Sequence, residues 1–180
     1  MRHPHMVNHY YIDGYNVIHH SRELRSRLDG DLEVGRQALI DLTAEFCGQT
    51  GERVTIVFDG QSTHTDPPGP VPGVPGLHVV YAPAHLSADA LIERAVYEAK
   101  DRMATVAVTS DHGIRDLCSG LGSLVMSAAN FLETLRRSRS ENQAASQPPR
   151  RGQSSSSLGE RISQDQADGL ERLKKRLEGG

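Results

Sequence analysis

The chain has 180 residues, 37% of them hydrophobic, no tryptophan and a formal net charge of -3 at pH 7. That length is about one domain with a short appendage, long enough to bury a core without disulfides, while a mean hydropathy of -0.48 leaves part of the chain unpacked. The acidic balance excludes an architectural nucleic-acid binder, which needs an overall basic charge to hold phosphate, but leaves room for local basic patches.

The two cysteines, Cys47 and Cys118, make no disulfide framework and suit a reducing compartment. No apolar run approaches the roughly 20 residues of a membrane span, and residues 1–9 lack the apolar core of a signal peptide, so a soluble cytoplasmic protein is expected. His3, His5 and His9 are read as solvated side chains of a terminal segment.

In chain order, the first element is a short β-branched and aromatic run, Tyr10-Tyr11-Ile12, that stops at Asp13. A helix follows in which Leu32, Leu39, Leu42 and Phe46 share a face. Two more strands end on acids in the same way: Val54-Thr55-Ile56-Val57-Phe58 at Asp59 and Val106-Ala107-Val108-Thr109-Ser110 at Asp111. Between them, residues 66–76 alternate proline and glycine and predict a long exposed loop rather than a helix or a central strand.

Residues 77–81 form a fourth strand without a terminal acid, and the weaker run 123–126 a fifth. Ser87 caps a helix carrying Asp89 and Glu93 one turn apart, with Leu91, Ala95 and Ala99 as its apolar stripe. Phe131 and Leu135 mark the last helix of the domain.

After Arg139 the composition turns to serine, glutamine, proline and arginine. The predicted organisation is a catalytic domain over 1–138, a flexible linker over 139–160 and an amphipathic helix over 161–180, its stripe being Ile162, Leu170, Leu173 and Leu177. That helix is marginal alone and suits docking on a partner. Arg136, Arg137, Arg139, Arg150 and Arg151 form a basic patch able to hold phosphate.

Strands alternating with helices imply right-handed crossovers and a parallel sheet covered on both faces, an α/β three-layer sandwich of about five strands. In such a sheet the ligand crevice lies beyond the carboxyl ends of the strands, where Asp13, Asp59 and Asp111 stand. Any one strand-end aspartate is ordinarily a turn or helix cap. Three of them with the Asp89/Glu93 turn predict a convergent acidic pocket.

Clustered carboxylates repel, so keeping them ionised calls for a hard divalent cation with oxygen ligands, Mg2+ or Mn2+. Zinc is disfavoured because no Cys/His spacing accompanies the acids. The chemistry expected is metal-assisted phosphoryl transfer, and nucleic-acid hydrolysis fits it.

Asp13-Gly14-Tyr15-Asn16-Val17-Ile18, Arg36 with Leu39-Ile40-Asp41-Leu42, Val57-Phe58-Asp59-Gly60, Ala88-Asp89 with Ile92-Glu93, and Thr109-Ser110-Asp111 together resemble the YacP-like NYN domains of the PIN-like nuclease group. The resemblance runs in order from about Tyr10 to Leu135. It implies strand order 3-2-1-4-5 and a metal-dependent endoribonuclease, in some members acting on messenger RNA at the ribosome. It makes Asp13, Asp89 and Asp111 the catalytic acids and core metal ligands, with Asp59 and Glu93 as further acidic ligands.

Asn16 would then orient the first acid or a phosphate, and Ser110 would hydrogen-bond a ligand or water. Tyr15, as a base-stacking ring, and Arg36, as a phosphate contact, complete the substrate-binding set. His112 is a weaker candidate for proton transfer. Ala90 departs from the family pattern, which often has a second acid after the helix-turn aspartate. A non-catalytic RNA- or ribosome-binding module is the alternative, and a small-molecule phosphatase is disfavoured by the lack of a nucleophile motif.

Overall fold

The computed structural model describes residues 7–28, 31–60 and 69–146. The chain enters through β1 (His9–Asp13) and turns at once into α1 (Gly14–His20) and α2 (Arg22–Leu28). Between those helices the Ser21 hydroxyl accepts the Leu24 amide at 3.2 Å, a local cap that restarts the helix in a new direction. Asp31 caps α3 (Leu32–Thr50) by accepting the Glu33 amide at 2.8 Å.

The remaining elements are β2 (Arg53–Phe58), β3 (Gly69–Pro70), β4 (Leu77–Tyr81), α4 (Ala88–Glu98), β5 (Thr105–Val108), α5 (His112–Gly120), β6 (Leu124–Met126) and α6 (Ala128–Ser146). They form one six-stranded sheet in the order β3-β4-β2-β1-β5-β6. β1 lies inside it, parallel to β2 and β5, with Asp13 opposite Val57 and Ile12 opposite Val108. Without the two-residue β3, the five parallel strands have the predicted order 3-2-1-4-5.

Alternation along the strands sends two sets of side chains to opposite faces. Tyr10, Ile12, Val54, Ile56, Phe58, Val106 and Val108 pack against α1, α2, α3 and α6 through Val17, Ile18, Leu24, Leu39, Phe46 and Phe131. Tyr11, Val57, Ala107 and Val125 face the other way, against Ala88, Ile92 and Val96 of α4 and Cys118 of α5. The fold is the expected three-layer α/β sandwich, its sheet mixed only through β3. Both cysteines are free and buried.

Several expectations shift by a residue or a turn. Leu32 is 53% exposed at the start of α3 and lies outside the face made by Leu39 and Phe46. On α4 the fully buried positions are Ala88, Ile92 and Val96, one residue away from the predicted Leu91/Ala95/Ala99 stripe, because the helix starts with Ala88 tucked inward under the Ser87 cap.

The second half of the Pro/Gly segment is anchored rather than free. β3 pairs antiparallel with β4, the Val71 amide donates to the Leu77 carbonyl at 2.9 Å, and Val71 and Val74 pack on the core. Proline is tolerated there because an edge strand needs no second row of donors.

α6 continues through Ser138 to Ser146, and the compact unit extends to Ala144, a little past the boundary that composition indicated. Most of the expected linker and the whole of the expected terminal helix lie outside the described residues, as do residues 61–68. Among the described residues no helix is long and apolar enough to cross a membrane.

Candidate active site

The site is built where parallel strands hand over to helices. Asp13 ends β1 and caps α1, its carboxylate accepting the Asn16 amide at 3.0 Å. The turn behind it passes so close to β2 that a Cβ on Gly14 would stand 2.3 Å from the Phe58 ring. The second Asp-Gly pair obeys the same constraint: a Cβ on Gly60 would stand 1.7 Å from the Ala82 carbonyl oxygen. In each pair the acid ends the strand and the glycine lets the backbone turn against its neighbour.

The Asp59 carboxylate accepts the Ala88 amide at 2.6 Å, fastening the end of β2 to the start of α4. Ser87 caps that helix through the Ala90 amide at 3.2 Å. Asp111 caps α5 by accepting the Ile114 amide at 3.0 Å, and its own amide donates to the buried Thr109 hydroxyl at 3.1 Å. The ordinary role of strand-end aspartates is therefore realised at Asp13 and Asp111. Each cap bond occupies one carboxylate oxygen and leaves a second with acceptor capacity.

Asp89 is different. It sits in the first turn of α4, half-buried, with Oδ1 enclosed and without a hydrogen-bond partner among the described residues. Burial, and then the charges of Asp111 and Asp59, push its carboxyl above the usual range. Burial also raises Asp13, against the lowering effect of the Asn16 amide, and the charges of Asp89 and Asp59 add to the rise. Acids from β1, the end of β2, α4 and the start of α5 thus act on one another at the carboxyl end of the sheet.

Glu93 is half-buried one turn along α4 from Asp89, where its charge and that of Asp89 add to burial in raising the Cys118 thiol. It lines a groove between α4 and α5 with Ala90, Arg94, Tyr97, Leu117 and Leu121.

Among the described residues no three His, Cys, Asp or Glu side chains form a ready metal-binding group. The expected shell of five acidic ligands is not assembled around one point. The donor set nevertheless suits a hydrated hard cation: Asp89 offers a buried, unpartnered oxygen, the neighbouring acids repel one another, and magnesium characteristically keeps several waters while bound by one or two carboxylates.

The substrate-binding candidates are scattered more widely. Asn16 follows Asp13 closely, and its side-chain oxygen is buried without a described partner. Ser110, partly exposed, directly precedes Asp111. Tyr15 is half-buried, its ring edge-on to Phe58 at 5.3 Å between centroids. Arg36 is 2% exposed, 3.4 Å from the Glu33 carboxylate and 5.7 Å from the centre of the Tyr81 ring.

The burial of Arg36 and its ring contact make it an interior cation rather than a surface phosphate contact. His112 is exposed at the first position of α5. Arg136, Arg137 and Arg139 project from α6, on the opposite face of the sheet from α4, where Arg139 meets Glu45 at 3.5 Å and Arg136 meets Glu133 at 3.9 Å.

One residue beside the site carried no motif. His85, with Asp59, Gly60, Ala84, Leu86 and Ser87, lines an open groove of about 440 Å³ next to the acids. Its only sequence signal is its place two residues before a helix cap that follows a strand.

Comparison with known proteins agrees with this geometry. The chain is 29% identical over 140 residues to the uncharacterized protein YacP of Bacillus subtilis (strain 168), a match covering 70% of this chain and 75% of that one. It superposes on a crystal structure of a single-residue variant of Rae1 (YacP) from Bacillus subtilis with a TM-score of 0.64, at 24% identity, over 77% of this chain and 80% of that one. A second crystal structure of Rae1 (YacP) gives a TM-score of 0.61 at 22% identity, over 95% and 90% of the respective chains. The YacP-like NYN domain model matches residues 10–175. With that match laid on the fold and the strand-end acids, the chain belongs to the YacP-like NYN domain family, which is related to the PIN-like nucleases.

Proposed function

We propose that this protein is a metal-dependent endoribonuclease that hydrolyses RNA phosphodiester bonds with Asp13, Asp89 and Asp111 as its catalytic acids. The observation that carries the reading is Asp89: a half-buried carboxylate with an unpartnered oxygen, pressed by two other acids at the carboxyl end of a parallel sheet. Such an arrangement costs stability unless positive charge enters the pocket. Mg2+ or Mn2+ held by Asp13, Asp89 and Asp111 would neutralise the cluster, screen the phosphodiester and lower the pKa of an attacking water.

The chain's own residues do the positioning. Asp59 holds the start of α4 in place through the Ala88 amide, which fixes where Asp89 points. Thr109 and the Ile114 amide fix Asp111 in the same way. Asn16 and Ser110 supply hydrogen bonds to a phosphate or water, and Asp89 Oδ1 would be an oxygen ligand of the ion. Glu93 serves the substrate groove rather than the ion. Messenger RNA on the ribosome, in the cytoplasm, is the substrate that the family resemblance suggests.

The test is incubation of single-stranded and structured RNA with Mg2+, Mn2+ or chelator, using the wild-type protein and the Asp13→Asn and Asp89→Asn variants. Asparagine caps a helix as well as aspartate does, so Asp13→Asn should keep the fold. Cleavage only with metal, lost in both variants, is expected; full turnover in both would reject the assignment. Ala90 and the lack, among the described residues, of a preassembled three-ligand group favour one second reading, a non-catalytic RNA- or ribosome-binding module. RNA binding without cleavage under any metal condition would select it.

A further inference from the structure

The aromatic side chains are sharply divided. The sequence contains 5 tyrosines, 3 phenylalanines and no tryptophan. Phe46, Phe58 and Phe131 are buried, and Tyr10, Tyr11, Tyr15 and Tyr81 are buried or partly so. Tyr97 alone stands out, 65% exposed near the end of α4. An exposed ring gains nothing from the core, so its position asks for another explanation.

An arginine stands beside the ring. The Arg102 side chain donates to the Tyr97 carbonyl at 3.0 Å and places its guanidinium 5.9 Å from the ring centre. A cation thus stands over the phenol ring, which stays largely exposed. Beside it lies the groove between α4 and α5, with apolar walls from Ala90, Leu117 and Leu121 and with Glu93 and Arg94 at its polar margin. This groove has a volume of about 440 Å³.

The groove begins where the acidic site stops. Asp89 and Tyr97 occupy the same helix eight positions apart, which is about 12 Å along its axis. That is a separation of a nucleotide or two along an extended single strand.

We propose that this groove is a subsite for one unpaired base of the RNA, stacked on Tyr97 a short distance along the strand from the cleaved phosphate. The inference deepens the nuclease reading and rests on it. A pre-positioned aromatic face with an arginine behind it is the combination that holds single-stranded bases by stacking with little regard to sequence. Paired bases have no free face to offer, so the subsite makes the substrate single-stranded at this point.

Glu93 adds a bias. A carboxylate in a base pocket accepts from an exocyclic amine and repels a phosphate, so the groove takes the base, with cytosine or adenine ahead of uracil. The sugar-phosphate backbone then runs outside, past the exposed Arg94.

The experiment measures binding of the full chain to a short fluorescent single-stranded RNA in chelator, where cleavage is suppressed, and separately measures metal-dependent cleavage by the same proteins. Tyr97→Ala is expected to weaken binding about tenfold, and Tyr97→Phe, which keeps the ring, to bind like wild type. A cytosine-containing strand should bind better than oligouridine, and Glu93→Gln should narrow that difference.

Unchanged binding by Tyr97→Ala, or equal losses in the alanine and phenylalanine variants, would overturn the stacking subsite while wild-type cleavage still upheld the nuclease. If the wild-type protein neither bound nor cut RNA, the nuclease reading and the subsite would fall together. Should Tyr97→Ala abolish binding to a protein partner while RNA affinity stays constant, the groove is a protein interface and the inference is wrong.

Discussion

The two faces of the sheet are packed to different depths. On one side, four helices bury a continuous aromatic and aliphatic core in which Tyr10, Phe46 and Phe131 meet edge to face or tilted, 5.8 to 6.2 Å between centroids. On the other, α4 and α5 cover the sheet through a small set of modest side chains, Val57, Ala88, Ile92, Val96, Ala107 and Cys118. The thick face holds most of the buried side chains. The thin face carries the acids, the groove and the exposed ring, and it can do so because its helices are placed by caps and cross-loop hydrogen bonds as much as by burial.

The largest expected effect breaks the thick face. Phe131 is fully buried between the sheet and α3, so Phe131→Ala should cost about 3–5 kcal/mol, measured as a shift in denaturant midpoint. Gly60→Ala comes next. A methyl group there overlaps the Ala82 carbonyl oxygen, and relief by backbone movement costs about 1–3 kcal/mol while displacing Asp59, so both stability and cleavage should fall.

Ile92→Val trims the thin face by one methylene. It should cost about 0.5–1.5 kcal/mol and leave the core on the other side intact, a difference that amide exchange of α3 against α4 would resolve.

The smallest effect has the opposite sign. In the folded protein Asp89 has a carboxyl raised above the ordinary 3.8, so it binds protons more tightly there than in the unfolded chain. Its contribution to stability therefore falls as pH rises from 3.8 through the raised value and stays unfavourable above it. Asp89→Asn should be slightly more stable than wild type in chelator at neutral pH, and the gap should close as the solution is acidified. A variant less stable than wild type at neutral pH would place Asp89 in a structural role.

This contrast between the faces also explains what the sequence disclosed. The buried parallel strands were legible because each is a short β-branched run, and the acids were legible because they stop those runs at Asp13, Asp59 and, after Thr109 and Ser110, Asp111. β5 itself ends at Val108, since Thr109 and Ser110 already belong to the turn that aims Asp111. The strand order came from family resemblance; alternation of strands and helices would have allowed others.

Short helices were poorly legible. α1 and α2 have 7 residues each and present too few turns for a stripe to register. Arg36 reads as a surface cation in any window. Only the fold shows that Glu33 and the Tyr81 ring keep it inside. His85 and Tyr97 gave no signal because their importance is purely spatial: a loop lying beside Asp59, and a ring standing at the end of a groove shared by two helices.

In the proposed function, the acids at the ends of β1 and β2 and the starts of α4 and α5 bind a divalent cation. Calorimetric titration of the full chain with Mn2+ at neutral pH, repeated with Asp89→Asn, measures this without any substrate. Saturable binding by the wild-type protein, accompanied by a rise in thermal stability and lost or weakened at least tenfold in the variant, is the predicted result. Absence of binding in the wild type, or identical isotherms for both proteins, would contradict the account.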